Sequence, residues 1–172
     1  DDGAGVALTM AAAKLATTYG KPKRSIRVVL FAAEEFGLWG AKAYVKANAQ
    51  GINNIVAAAE SDFGADKIWA FDSNVHAKAL PLVAEIAAML KSLNIEYTAK
   101  NSARGGPDLI PFRPFNIPAF GLSQDGTDYF DYHHTADDTL DKIDPEKLRQ
   151  NVAAYAVFTY MTANAKTRII GK

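Results

Sequence analysis

"SIRVVLFAAEEFGLWG", residues 25–40, sets the reading of this chain. Residues 25–33 are a short β-branched and apolar run, the pattern of a strand buried on both faces. Glu34 and Glu35 follow at once. Then comes "GLWGAKAYVKANAQ" (37–50), where Leu38, Ala41 and Val45 recur at helical spacing. A strand, a sharp turn and a helix thus bring two adjacent carboxylates to one end of a sheet. Such a pair is costly beside a core unless a cation or hydrogen-bond donors offset it.

The same alternation extends in both directions. Residues 3–20 are Ala-rich and free of proline, which predicts a helix stopping at Gly20. "NIVAAAESD" (54–62) is a second apolar run that ends in acids, and "KIWAFDS" (67–73) is a third strand candidate. Residues 76–94 read as a helix with Pro81 in its first turn, and "IEYTAK" as a further short strand. Residues 101–118 are rich in Gly and Pro, so a loop with one short helical turn is expected there. A strand at 119–122 leads into a long polar and aromatic loop. Residues 144–166 close the chain as a helix with Asp144 as N-cap and Pro145 at its first position. Strands alternating with helices predict an α/β fold with a mostly parallel sheet. No repeat and no linker divides the chain, so residues 1–172 are read as one domain.

Bulk composition excludes several classes. Among 172 residues, Lys+Arg and Asp+Glu both number 19, which argues against a nucleic-acid footprint. No apolar run approaches the roughly 20 residues a membrane-spanning helix needs. The absence of cysteine rules out disulfides, thiolate zinc sites and cysteine nucleophiles.

In open α/β sheets, sites form at the carboxyl ends of the strands. Four segments bring acids or imidazoles to that edge here: Asp1-Asp2, Glu34-Glu35, Glu60-Ser61-Asp62, and the loop with Asp125, Asp128, Asp131, His133 and His134. Each has a plainer reading. Asp1-Asp2 can cap a helix, Glu34-Glu35 can favour the start of the next one, Asp62 can serve a turn, and the histidines can lie on the surface. Together they would repel one another without a cation, and carboxylates mixed with imidazoles suit zinc. His76, at a helix start with no acid cluster, is read as non-functional.

The quoted residues resemble a known family. "DDGAG" (1–5), "AAEEFGLWGA" (32–41), "ESDFG" (60–64) and "HHTADDT" (133–139) resemble, in order, four segments of the zinc-dependent exopeptidases related to bacterial leucyl aminopeptidase and plasma glutamate carboxypeptidase. The tail is most similar to the carboxypeptidase Q-like branch. The resemblance implies a three-layer αβα fold with a mostly parallel mixed sheet, incomplete at the N-terminus. It implies metal-dependent hydrolysis of dipeptides or short peptides by a metal-activated water. Asp1 would bridge two zinc ions, Glu35 and His134 would complete one site, and Asp62 would serve the other. Glu34 would be the general base. His133 could donate a hydrogen bond to the oxyanion, while Asp138 could either orient a ligand or act as a cap. The family's upstream His-x-Asp segment, which supplies a further ligand, has no counterpart here. The chain is therefore expected to be the C-terminal portion of a longer catalytic domain, secreted or periplasmic, with a homodimer left open. A single-zinc acyltransferase resembling glutaminyl cyclase and a non-catalytic binding module of the same fold are the alternatives. "SARGGPDLIPFRP" (102–114) would line the pocket by analogy. Arg104 or Arg113 would hold a substrate carboxylate or simply be solvated, and Gly105-Gly106 implies a backbone that approaches something closely or moves.

Overall fold

The computed structural model describes residues 2–18 and 20–172. The core is a short mixed sheet. Strand β1 (Ile68–Asn74) lies at its centre, parallel to β2 (Glu96–Tyr97) and antiparallel to β3 (Ala119–Gln124). Among the described residues five α-helices accompany it: α1 (Gly3–Ala16), α2 (Trp39–Ala47), α3 (Leu80–Leu90), the single turn α4 (Tyr129–Tyr132) and α5 (Pro145–Asn164).

Local chemistry accounts for the helix boundaries. The Asp144 carboxylate accepts the N–H of Glu146 at 2.8 Å and of Lys147 at 3.5 Å, with Pro145 at the first helical position, as expected. Asp2 caps α1 through the N–H of Gly5 at 2.9 Å. His76 caps the 3₁₀ turn Ala77–Ala79, its Nδ1 accepting from Lys78 N, an ordinary structural role.

The main core lies between the sheet and helices α1, α3 and α5. Leu8, Phe71, Val83, Ile86, Leu90 and Phe120 are buried in it. Phe71 stacks on Phe120 at 6.1 Å, and Phe120 meets Phe158 at 5.0 Å. Polar side chains of α5 fasten the helix to the sheet. Gln150 bonds both backbone groups of Ile68, and buried Asn151 accepts from Gln124 at 2.7 Å. A second apolar cluster joins Ala41, Ile52, Leu109 and Phe112, with Phe31 and Tyr44 packed against it.

Two expected strands differ from the sequence reading. Residues 54–60 make a single parallel bridge, Ala58 to Ala119, instead of a full ladder. Residues 25–33 are extended but pair with no strand among the described residues, and Val28 and Leu30 are 36% and 53% exposed. The β-branched pattern sets the extended backbone, but a ladder also needs a neighbouring strand. The Pro- and Gly-rich segment holds more helix than expected, a 3₁₀ helix over Pro107–Phe115. No described helix is long and apolar enough to cross a membrane.

Candidate active site

The turn after residue 33 is what presents Glu34 and Glu35. Ala33, Gly37 and Leu38 all have positive φ (58°, 108° and 61°). The Glu34 carbonyl accepts the N–H groups of Gly37 and Leu38 at 2.9 and 2.8 Å, while Gly40 N–H donates to Ala32 O at 2.9 Å. The chain therefore folds back on itself, and a Cβ on Gly40 would lie 2.6 Å from the Ala32 backbone. The spacing of Gly37 and Gly40 behind the two glutamates is thus a backbone requirement of this turn.

Asp62 reaches the same place from another element. Residues 55–60 run parallel to β3 through the Ala58–Ala119 bridge, so Asp62 lies toward the Gln124 end. The loop carrying His133 and His134 leaves from that end. Burial raises the Asp62 carboxyl to about 6, helped by the charges of Asp2, Glu34, Asp108 and Glu35. Five carboxylates from four stretches of chain therefore share one field.

His134, in the left-handed region at φ 59°, places Nε2 2.7 Å from Glu35 Oε1. Both side chains are about half exposed (52% and 53%), so the contact adds little to stability. His133 belongs to an aromatic stack, 3.7 Å from the His134 ring and 4.8 Å from Tyr129, which in turn stacks on Phe63 at 4.1 Å. Burial pushes the Tyr129 hydroxyl up to about 12, with Asp62, Asp2, Glu35 and Asp138 adding to the effect. Asp138 therefore faces the site. Its N–H bonds Thr135 O at 3.3 Å. Asp1 lies outside the described residues.

Three further residues belong to the site: Asp2, read from sequence only as part of an acid pair and a cap, and Asp108 and Tyr129, which escape that reading. Asp2 uses one oxygen as a cap, but its Oδ2 is buried without a hydrogen-bond partner among the described residues. Burial raises its carboxyl above the ordinary range. Asp108, at the start of the 3₁₀ helix, is buried, its Oδ1 likewise unpartnered, and the Glu34 charge adds to the burial that raises it. Tyr129 is the third. For Asp108 the only sequence signal was its place after the Gly pair.

The donor chemistry fits a cation: clustered carboxylates, an imidazole against one of them, and two orphaned buried carboxylate oxygens. Among the described residues, however, no three of these side chains converge into a metal cage. Arg104 and Arg113 line a different cavity, of about 230 Å³, with Leu109 and Phe112, and none of the acids named above is in its wall.

The sequence matches the model of peptidase family M28 over residues 1–159, and the chain belongs to that family. It is 31% identical over 165 residues to carboxypeptidase Q of Homo sapiens and 30% identical to that of Bos taurus, covering 95% of this chain in each case. A crystal structure described as a peptidase M28 precursor from Shewanella amazonensis SB2B superposes with a TM-score of 0.93. It is 48% identical and covers 98% of this chain. The chain spans about a third of those relatives: 34% of either carboxypeptidase Q and 38% of the solved chain.

The acid cluster has a measurable thermodynamic consequence. With Asp62 raised from an ordinary 3.8 to about 6, the folded state holds its proton more tightly than the unfolded one. Stability of the metal-free protein therefore falls as pH rises through that window and stays lower above it. Asp62→Asn in chelator is expected to melt higher than the parent at pH 7, by roughly 1 kcal/mol once solvent screening of a half-buried group is allowed for. Below about pH 4 the difference should vanish. Equal melting at both pH values would mean that the acids do not share a field.

Proposed function

We propose that this chain is the C-terminal part of the catalytic domain of a zinc-dependent exopeptidase acting on dipeptides or short peptides. The observation that carries this reading is the Glu35–His134 contact beside Glu34 and Asp62, in a chain of family M28. Glu35 and His134 would hold one zinc ion together with Asp1, and Asp62 with Asp1 would hold part of a second site. The chemistry zinc supplies when bound is polarisation of the scissile carbonyl and a lower pKa for the attacking water. Glu34, presented by the turn after Ala33, would take the proton from that water and deliver it to the leaving amine. His133 would donate to the developing oxyanion, its ring held by the stack on Tyr129. A secreted or periplasmic location belongs to the same reading, which rests there on the resemblance to the exopeptidases.

The test is hydrolysis of a panel of alanyl-leucine, alanyl-glutamate and alanyl-lysine by the intact protein. Stripping metal with a chelator should cost at least about 100-fold in rate, and added zinc should restore it. Undiminished hydrolysis in chelator would sink the metallopeptidase reading.

A further inference from the structure

Glu60 belongs to none of the roles above, yet its contacts are specific. It stands two residues before Asp62, and its carboxylate is turned toward the start of the 3₁₀ helix Pro107–Phe115. Oε1 accepts the N–H of Asp108 at 3.1 Å, and Oε2 accepts the N–H of Leu109 at 3.0 Å. A carboxyl group accepting from two successive N–H groups fixes both the position and the direction of the helix end. The backbone of Gly106, on the same segment as these donors, passes so close that any Cβ there would collide with that carboxylate. Behind Glu60, the Tyr155 hydroxyl donates to its carbonyl at 2.5 Å and so anchors residue 60 to α5.

What the clamp holds is functional ground on both sides. Asp108 carries a buried Oδ1 with no hydrogen-bond partner among the described residues, and the Glu34 charge acts on its carboxyl. Leu109 enters the second apolar cluster, where Phe112 meets Phe31 at 6.2 Å, three residues before Glu34. From these contacts we infer that Glu60 is a positioning residue. It fixes the segment 103–115 against the strand of Asp62, and so sets where Asp108 stands relative to Glu34 and the bound peptide. The role rests on the exopeptidase reading, because a bound peptide is what the segment would meet.

The test uses Glu60→Ala, Glu60→Gln and Gly106→Ala in the intact, zinc-loaded protein, with alanyl-leucine as substrate and amide hydrogen exchange as a second readout. Gln keeps one acceptor oxygen, Ala keeps none, and Gly106→Ala attacks the same clamp from the opposite strand of chain. Glu60→Ala and Gly106→Ala should raise KM by about 10–100-fold with kcat changed much less and zinc content unchanged. Glu60→Gln should fall between them and the parent. The Asp108 and Leu109 amides should exchange faster in Glu60→Ala. Unchanged exchange at those amides would show that the clamp does not exist. Faster exchange with an unchanged KM would show that it positions nothing. A parent that hydrolyses no peptide would instead remove the exopeptidase reading, and the positioning role with it, while the exchange data still report on the clamp itself.

Discussion

Glu34→Gln is expected to lower peptide hydrolysis by about 10²–10⁴-fold, the usual worth of a positioned general base. The substitution keeps the size of the side chain and removes only its ability to take a proton. Nothing in the turn should move, because the bonds that shape it run from the Glu34 carbonyl to the N–H groups of Gly37 and Leu38. Glu34 also adds to the repulsion felt by Asp62 and Asp108, so stability should hold or rise slightly. Zinc content should be unchanged if Glu35 and His134 are the ligands. The decisive comparison is kcat/KM with metal stoichiometry measured on the same sample. Full hydrolysis by Glu34→Gln would end its assignment as the base. Loss of zinc along with activity would make it a ligand instead.

The second large effect lies in the core. Phe71→Ala should cost about 3–5 kcal/mol, a large part of the stability of a domain this size. Phe71 is fully buried at the centre of β1, stacked on Phe120 and 6.1 Å from Tyr97 on β2. Its ring joins all three strands, so the cavity left behind could not close by moving one loop. Denaturant melts should show a lowered midpoint with an unchanged slope. A loss below about 1 kcal/mol would mean that the sheet repacks around the gap.

The two variants separate what sequence can reveal from what it cannot. Helix α5 was legible because its signals are local: Asp144, Pro145 and an unbroken run behind them. The turn at Glu34-Glu35 was legible in part, since Gly37 and Gly40 mark a chain that must double back. Strand 25–33 was misread as a ladder member because pairing is a property of two segments and only one was in view. Asp108 stayed hidden, and Glu60, named only as one member of an acid run, went without a role, for a related reason. Each looks ordinary in its own neighbourhood, and the contact that gives it meaning comes from 48 residues away. Tyr129 likewise reads as one aromatic among several until Phe63 and His133 are found stacked on either side of it.

The unpaired stretch before the two glutamates also bears on how the molecule behaves in company. Extended backbone that pairs with no strand among the described residues, with Val28 and Leu30 in view, can take on a further strand, whether from the same polypeptide or from another. Lys21, Lys23, Arg24 and Arg27 crowd one end of it, and Glu34 and Glu35 close the other. A second copy laid parallel would set like charge against like and be repelled, whereas one laid antiparallel would set the basic end against the acidic end and be drawn in. The acid pair thereby gives this edge a polarity: its charge bears on the direction in which a further strand can be laid beside residues 25–33.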